Sequence, residues 1–481
     1  MRLDVAGMSF FKDFTSDKRG DPYPLIISEG TFTESVSGGA YTFEGCGKAC
    51  VKRIFSSFFP VISYSFKVDT ACDCDVGISL ENKETMFEMW VNSEGEGEIS
   101  FQNEKKRFSC GNKGNIDGTA FTLTFRNTGV TLYKTENGTE SLIGDFVFAG
   151  FDRLSFYDVF SDTCAAIYCR ALKNSRAVIS GVTAFVCDGI SHADMKPIRY
   201  EDGTPIVENG RIFFTFTSRL QSEMFQTVIS VCPSLCDFRM EGVMLFDTGD
   251  GKCCTDVASS VIFDRNAGLW YIWMCSFSHG HILGRTKTSA DPRFGLNIID
   301  VKLLEEASGE NIYAFAGITG DEDPDLCFID GKWNLTVCRL SGKEGYKYLR
   351  FVSDQPLDGF VFADITPTGG KTGGLMVPFE DGYCFVCGTD FNSRAKYDVY
   401  PYNDFSVRHS LSCNYDDGGF RGWGTVFAHS SGTRRFYYWI TFDRHNASDY
   451  NWSYGNIYMY RSKEYFPSGQ LITDACPEQN T

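Results

Sequence analysis

Five evenly spaced aromatic segments place the tightest limit on how the second part of this chain can fold. Each begins at or just after a turn with Gly or Asp, and they read NGRIFFTFTSR, AGLWYIWMCS, DGKWNLTVCR, DGYCFVCGTD and TRRFYYWITFDR. Their centres, at Phe213, Tyr271, Asn334, Phe385 and Tyr437, are 58, 63, 51 and 52 residues apart. Such a period holds about four strands per unit, which is typical of a β-propeller. We predict a five-bladed β-propeller over residues 179–481; the alternative is a second β-sandwich with evenly spaced turns.

Shorter alternating runs fill residues 1–178. Segments such as VISYSFKVD, MFEMWVN and FTLTFRNTGVTLYKT alternate apolar and polar residues, and the Asn-Thr-Gly within the last one marks a tight hairpin. Helical periodicity is almost absent from the whole chain. Roughly seven such strands joined by hairpins predict a jelly-roll-like β-sandwich. The chain is therefore expected to be all-β, with an N-terminal β-sandwich followed by a five-bladed β-propeller.

The charge balance limits the partners. The chain carries 62 acidic and 45 basic side chains, a formal net charge of -17, and its Lys and Arg residues form no cluster suited to phosphate backbones. We therefore expect no nucleic-acid partner. The first residues, MRLDVAGMSFFKDF, lack the pattern of a signal peptide, and no apolar run reaches the roughly 18 residues that span a bilayer. These features predict a cytoplasmic protein that does not bind a membrane.

The chain contains 19 cysteines, most of them inside apolar strand-like runs. Their number is odd and no export signal is present, so a disulfide framework is not expected. Cys384 and Cys387, three apart on a strand, would point to opposite faces, and no paired Cys-x2-Cys knuckles occur. We expect these thiols to pack as small hydrophobic groups, with metal binding and redox regulation as the alternatives.

An acidic residue precedes each of the first three aromatic strands by about 15 residues. These acids are Asp194, Asp256 and Glu322, and the corresponding stretches of the fourth and fifth units offer Gly374 and Arg421. The innermost strand of each propeller blade faces the central channel, so equivalent positions meet at one end of the axis. We predict that three carboxylates and one Arg converge there. The alternative is that these acids are ordinary turn and surface residues.

Three converging carboxylates suit one reaction class in particular. Hydrolysis of a glycoside needs a protonated acid to assist the leaving oxygen and a second carboxylate that activates water or attacks the sugar. A third carboxylate nearby can raise the pKa of the acid by repulsion between like charges. The pattern therefore indicates a glycosidase.

The segment EDPDLCFIDGKWNL, which begins at Glu322, resembles the acid-bearing motif of the invertase and fructan hydrolase family. Arabinanases and β-xylosidases carry a shorter version, Glu-x-Pro, at the same place. Both groups are five-bladed propeller glycosidases whose three acids come from the first three blades. The resemblance implies Glu322 as the general acid, Asp194 as the nucleophile or base, and Asp256 as the transition-state stabiliser or pKa modulator.

The other two acids lie in sequences that depart from those families. The first is in HADM and the second in TDV, where invertases have Asn-Asp-Pro-Asn and Arg-Asp-Pro. The sandwich also comes first here, whereas it usually follows the propeller in those families. The sandwich resembles concanavalin-like jelly rolls, and we expect it to brace the propeller; carbohydrate binding and a homo-oligomer contact are left open. The chain is therefore identified as a distant relative whose sugar, linkage and stereochemistry stay open.

Histidines near the acids suggest a second reading. His192 and Asp194 are two residues apart on one strand, and His279 and His281 share that spacing. Regular pleating would point each pair to one face, where it could contact sugar hydroxyls or hold a metal ion. We predict His192 and His281 as substrate-binding residues, with no cofactor required. The alternative is a metal- or His-assisted lyase or deacetylase that uses a divalent metal.

Four further residues complete the predicted substrate site. Arg219 follows the first aromatic strand, Asp323 follows the predicted acid, and Arg421 and Trp423 belong to the fifth unit. Aromatic faces pack on the C–H patches of sugars, and Arg or Asp side chains bind their hydroxyls. The expected partner is an oligosaccharide. A glycan-binding propeller without catalytic activity is the third possibility.

Overall fold

The computed structural model describes residues 1–4, 25–28, 31–37, 39–46, 49–57, 61–81, 86–111, 115–126, 129–148, 163–187, 189, 191–220, 224–234, 236–250, 256–306, 311–379, 382–388, 396–412, 424–431, 434–442, 457–462 and 476–477. The chain divides into two compact units, one essentially Arg2–Cys187 and the other essentially Asp188–Thr481. The sequence placed this division at residue 178. It falls later because the last strand of the first unit keeps its antiparallel pairing through Cys187.

The described part of the first unit forms one network of 13 paired strands. The strands are β1 (Arg2–Asp4), β2 (Leu25–Ser28), β3 (Thr31–Ser37), β4 (Ala40–Cys46), β5 (Ala49–Ser57), β6 (Ser63–Glu81), β7 (Met86–Asn92), β8 (Glu96–Phe101), β9 (Glu104–Ser109), β10 (Thr119–Arg126), β11 (Gly129–Glu136), β12 (Thr139–Val147) and β13 (Cys164–Cys187).

The long strands β6 and β13 hold two layers together. The first part of β6 pairs with β10 and its second part with β7, while β13 pairs first with β5 and later with β4 and β1. Aromatic side chains of β7 and β8 pack against those of the other layer, with ring centroids 4.8 Å apart for Phe87 and Phe125 and 5.9 Å for Phe101 and Phe148. The described strands of this unit therefore show the predicted β-sandwich in part.

The second unit consists of five sheets, which we call blades one to five. The first two blades contain β14 (Ser191–Pro197), β15 (Arg199–Tyr200), β16 (Val207–Glu208), β17 (Arg211–Arg219), β18 (Met224–Cys232), β19 (Asp237–Asp247), β20 (Asp256–Asp264), β21 (Leu269–Ser276), β22 (Ile282–Thr288), β23 (Gly295–Asp300) and β24 (Lys302–Leu303). Blade one is β14-β17-β18-β19-β23 with β16 at its edge, and blade two is β15-β20-β21-β22-β24.

Each of the other three blades takes four consecutive strands, so that blade three is β25–β28, blade four β29–β32 and blade five β33–β36. They are β25 (Asp321–Ile329), β26 (Lys332–Leu340), β27 (Tyr346–Ser353), β28 (Val361–Ile365), β29 (Thr372–Phe379), β30 (Gly382–Gly388), β31 (Lys396–Pro401), β32 (His409–Ser412), β33 (Gly424–Ser431), β34 (Arg434–Phe442), β35 (Ile457–Arg461) and β36 (Cys476–Pro477). Two short 3-10 helices, Phe277–His279 and Gly342–Glu344, lie in loops.

The five blades close into a ring. Their inner strands, β14, β20, β25, β29 and β33, contact one another in turn, and β33 contacts β14 again. An apolar cluster fills each space between neighbouring blades. The last space is closed by Phe214 of blade one and Phe427 of blade five, whose ring centroids are 5.2 Å apart. The predicted five-bladed propeller is therefore confirmed.

The aromatic segments that predicted the propeller are the strands that follow and pair with these inner strands, β17, β21, β26, β30 and β34. Their large side chains fill the clusters between blades, which is why one segment recurs in each unit. Cys327, Cys338 and Cys387 pack in the cluster between blades three and four, as expected for structural thiols. No helix in the described ranges is long and apolar enough to cross a membrane.

Candidate active site

A β-bulge interrupts the inner strand of each of the first four blades at the same point. In each case two residues of the inner strand lie opposite one residue of the neighbouring strand. The first residue of each bulge has a left-handed backbone, with φ of 53° at Asp194, 56° at Ala258, 53° at Asp323 and 59° at Gly373. We call these four sites the axial bulges. Bulges of this kind re-aim side chains and are common beside active sites.

The axial bulges revise which acids are equivalent. The sequence aligned Asp194 with Asp256 and Glu322, but the structure aligns it with Ala258 and Asp323. Asp256 therefore lies two residues before the equivalent position, and Glu322 lies one residue before it. A spacing of about 15 residues to the next strand cannot resolve shifts this small, since the loops between the two strands differ in length.

The predicted acids differ in their access to solvent. Asp194 is 6% exposed and Asp256 is 2% exposed, whereas the side chain of Glu322 is 21% exposed. Asp323, which we predicted to bind substrate, is only 2% exposed and accepts the Gly373 N–H at 3.4 Å. Of these four carboxyl groups, Glu322 is therefore the one best placed to reach a ligand.

Electrostatic coupling shows that the acids of the three blades lie close together. Burial raises the pKa of the Asp323 carboxyl well above its usual range, the Lys196 ammonium opposes this rise, and the charges of Glu322 and Asp194 add to it. Burial also raises the pKa of the Cys275 thiol, with further contributions from Glu322, Asp323 and Asp256. Because such effects fade with distance, the structure brings Asp194, Asp256 and Glu322 into one neighbourhood.

Glu322 is held by two side chains from different elements. His281 Nδ1 lies 2.9 Å from Oε1, and the Tyr346 hydroxyl donates to the same oxygen at 2.8 Å. Burial and the neighbouring Glu322 charge raise the pKa of Tyr346, so its hydroxyl stays protonated. Oε1 is therefore engaged twice, which fixes the orientation of the carboxyl group. The sequence did not single out Tyr346, at the start of β27. The repeated acidic positions from which the site was predicted lie only on inner strands.

The two histidines of the SHGH segment have different partners. His281 has a left-handed backbone, with φ of 58°, and its ring packs edge-on against Phe277 at 4.3 Å between centroids. His279 Nδ1 instead lies 2.7 Å from the Ser276 hydroxyl. Neighbouring Ser278 donates to Asp256 Oδ1 at 3.2 Å, so this short segment positions both Asp256 and Glu322.

Lys196 is a buried cation of the site that the sequence analysis did not single out. It is 2% exposed, and its ammonium donates to Pro324 O at 2.8 Å and to Ala258 O at 3.5 Å. Burial lowers its pKa, while Asp323, Asp325 and Asp194 oppose that shift. Its signal in the sequence is the single Lys of the strand SHADMKP.

A second buried cation, Arg199, lies further along the chain. It forms an ion pair with Asp325 Oδ1 and donates to Leu326 O at 3.2 Å. Asp325 Oδ2 accepts the backbone N–H of Met376 at 2.8 Å. This pair links blades two, three and four. Asp325 is therefore committed to structure, although it belongs to the motif that begins at Glu322.

The remaining predicted binding residues are placed as follows. His192 lies on β14, half-buried, with its ring edge-on to Phe216 at 6.0 Å. The bulge at Asp194 breaks the regular alternation from which a shared face with His192 was predicted. Arg219 ends β17 opposite Ser191. Two more predicted residues, Arg421 and Trp423, lie outside the described residues.

Blade four contributes no side chain at its predicted position. A Cβ atom on Gly374 would lie 2.5 Å from the rings of Phe385 and Tyr348. The Tyr348 hydroxyl also accepts the Gly374 N–H. The ring of Tyr348 from blade three thus occupies the space that a fourth acid would need.

The metal-assisted alternative requires a group of side chains that can coordinate an ion. Within these ranges, no three His, Cys, Asp or Glu side chains are grouped so that they could hold a metal ion. The described contacts of His281 and His279 instead lead to Glu322 and Ser276. The site therefore contains one partly exposed carboxyl group, that of Glu322, oriented by two neighbouring side chains. Buried carboxyl groups and one buried ammonium lie beside it.

The chain is similar to several solved structures at low sequence identity. A family 117 glycoside hydrolase from Zobellia galactanivorans is 13% identical, with 56% of this chain and 83% of that chain covered and a TM-score of 0.39. Levansucrase of Bacillus subtilis is 11% identical, with 61% and 87% covered and a TM-score of 0.41. An α-L-arabinofuranosidase from Clostridium thermocellum is 11% identical, with 58% and 93% covered and a TM-score of 0.35.

No protein-family model and no curated protein matches the sequence. A proposal of function for this protein therefore depends on the residues of the site.

Proposed function

We propose that this protein is a glycoside hydrolase that cleaves oligosaccharides with carboxyl groups at one end of the propeller axis. Glu322 is the general acid, Asp194 is the nucleophile or base, and Asp256 modulates the charge of the site. The observation that carries the proposal is the fixed carboxyl group of Glu322, held at Oε1 by His281 and Tyr346 beside the buried acids.

The proposed reaction begins with the glycosidic oxygen near Glu322 Oε2. Proton transfer from Oε2 to the leaving group assists cleavage of the C1–O bond, and two contacts at Oε1 keep the carboxyl plane fixed while this occurs. Asp194 then stabilises the positive charge that develops at C1. It does so either by attacking C1 or by taking a proton from the attacking water.

Asp256 acts in this scheme without bonding to the sugar. Its burial and its hydrogen bond from Ser278 keep it close to the other acids. A negative charge there makes ionisation of a neighbouring carboxyl group more costly. His192 and Arg219, both near the start of β14, are the proposed contacts for sugar hydroxyls.

The first test is a hydrolysis screen. The wild-type protein is incubated with a panel of oligosaccharides and aryl glycosides, and released sugar is measured for each. Asp194→Asn should lower kcat by about 10³-fold or more on whichever substrate is cleaved, because the developing charge at C1 loses its carboxylate. Proton NMR of the first product then gives its anomeric configuration.

Glu140→Gln provides the matched control, since Glu140 is an exposed residue of β12 in the other unit. It should retain wild-type turnover. Absence of hydrolysis across the whole panel, or full activity in Asp194→Asn with normal folding, would contradict the proposal.

A further inference from the structure

One ammonium group connects the axial bulges of three blades. Lys196 follows the bulge of blade one, and its Nζ donates to Ala258 O in the bulge of blade two and Pro324 O in that of blade three. A bulge disrupts the ladder of backbone hydrogen bonds, so its carbonyl groups need other donors. The three N–H bonds of an ammonium can serve several carbonyls at once.

The other charges near Lys196 are mostly negative. Asp323 and Asp325 of β25 and Asp194 of its own strand attract the ammonium, and Arg199 repels it. Asp325 is already paired with Arg199. Of the carboxyl groups that act on Lys196, Asp194 and Asp323 therefore depend most on its charge.

Asp323 also connects Lys196 to the proposed acid. Its carboxyl group is affected by Lys196, by Glu322 and by Asp194 together. A change in charge at Lys196 is therefore felt at both residues that the proposed reaction uses. Lys196 itself is 2% exposed, so it acts on the reaction through its neighbours and not by touching a substrate.

We propose that Lys196 is a positioning residue that fixes the axial bulges of blades one to three and holds a positive charge beside Asp194. This proposal rests on the proposed glycosidase function. Without the ammonium, the carbonyl groups of two bulges lose a donor and the neighbouring carboxyl groups lose an opposite charge. The ionised form of Asp194, which the proposed reaction uses, would then be less favourable in its buried position.

The test is the pH profile of kcat/KM for Lys196→Met and Lys196→Arg. A charge within about 4 to 6 Å shifts a carboxyl group by roughly one to three pH units. The acid limb of Lys196→Met should therefore move up by about one unit or more, with activity lost most at low pH. Lys196→Arg keeps the positive charge, so its acid limb should stay within a few tenths of a unit of wild type.

Lys371→Met is the matched control. Lys371 is 3% exposed and forms an ion pair with Asp398 of blade four, so its loss also removes a buried ammonium from the propeller. It should lower stability without moving either limb of the profile. If Lys196→Met and Lys371→Met have the same pH limbs as wild type, the positioning role of Lys196 is wrong.

A second measurement does not need activity. Wild type and Lys196→Met are melted between pH 4 and pH 10, a range chosen to include the titration of Asp323. Because burial raises the pKa of Asp323, its contribution to stability is present at low pH and lost as pH rises toward the folded-state pKa. Lys196 lowers that pKa, so in Lys196→Met the fall of Tm should extend to higher pH.

The two arms separate the two proposals. A shifted melting profile in a protein that hydrolyses no glycoside supports the charge coupling of Lys196 and contradicts the proposed function. Superimposable melting profiles contradict the coupling, whatever the activity. If Lys196→Met does not fold, Lys196→Gln and Lys196→Arg are compared in the same way, and equal pH limbs for these two variants would overturn the proposal.

Discussion

Two buried cations near the propeller axis, Lys196 and Arg199, have very different surroundings. Arg199 is in direct contact with Asp325, and the other oxygen of that carboxylate accepts a backbone N–H. The pair is electrically balanced and tied to three blades. Lys196 instead lies in the field of several carboxyl groups, among them Asp194 and Asp323, and it bonds to backbone carbonyls of two bulges.

The difference separates two groups of side chains. We call the Arg199–Asp325 pair the structural layer, and the carboxyl groups around Lys196 the chemical layer. A balanced ion pair in direct contact has one stable protonation state, so it can hold blades together over a wide pH range. A group of carboxyls around one ammonium carries more negative charge than it can neutralise, and some of its members must bind protons. Proton transfer requires such groups, which is why we place the reaction at the bulges and not at the Arg199 pair.

Arg199→Met should give the largest loss of stability. Removing one partner of a buried ion pair leaves the charge of Asp325 uncompensated, which costs about 3 to 5 kcal/mol in the free energy of unfolding. Chemical denaturation of wild type and variant measures this difference. The double variant Arg199→Met with Asp325→Leu should recover part of the loss, since both charges are then removed.

Activity per folded molecule should change little in Arg199→Met, because the pair does not belong to the chemical layer. A shift of its pH–activity limbs comparable to that of Lys196→Met would remove the distinction between the two cations.

Tyr346→Phe should give an intermediate effect, this time on catalysis. The hydroxyl of Tyr346 donates to Glu322 Oε1 at 2.8 Å, and a hydrogen bond to a charged group contributes about 1.5 to 3 kcal/mol. We expect kcat to fall by about 10-fold or more. Turnover is measured across the pH range for wild type and variant.

The matched control for this change is Tyr313→Phe, since Tyr313 is 50% exposed and packs on Phe362. It should behave as wild type. Equal pH profiles for Tyr346→Phe and Tyr313→Phe would mean that the contact at Oε1 does not orient the acid.

Asp323→Asn should have the smallest effect on activity and a specific effect on stability. Burial raises the pKa of Asp323, which favours its neutral form, and an amide of the same shape replaces that form with little change. Stability of the wild type falls as pH rises toward that raised pKa, whereas Asp323→Asn should lose this part of the slope.

Melting temperatures from pH 4 to 9, a range that brackets this loss, measure the Asp323 effect. Asp354→Asn is the control, because Asp354 is exposed and pairs with Lys332 on the surface. It should keep the wild-type slope. The same slope in Asp323→Asn would show that Asp323 is ionised throughout and that the chemical layer carries a different charge.

The fold could be predicted from sequence because large side chains recur with the period of the blades. Aromatic residues such as Trp273 and Phe385 fill every space between blades, so each unit repeats one turn and one strand. The domain boundary was less visible, because β13 continues its alternation beyond residue 178 without a turn.

The site could be predicted only in part. Asp194, Asp256 and Glu322 precede aromatic strands and were found from that spacing. The axial bulges were not found, because an Asp or Ala with a left-handed backbone carries no sequence signal of its own. Lys196 depends on contacts between blades, and such contacts arise only when the ring closes. Tyr346 reaches Glu322 within blade three, across the intervening strand β26.

The most direct test of the account is the turnover of Glu322→Gln on two glycosides of the same sugar, one with a poor alkoxide leaving group and one with an activated aryl leaving group. A general acid contributes about 10² to 10⁴-fold where the leaving oxygen needs a proton. We predict a loss of that size on the first substrate and a loss within about 10-fold on the second, whose departure needs no acid. Near-normal turnover of the first substrate, or equal losses on both, would contradict the assignment of Glu322 as the acid.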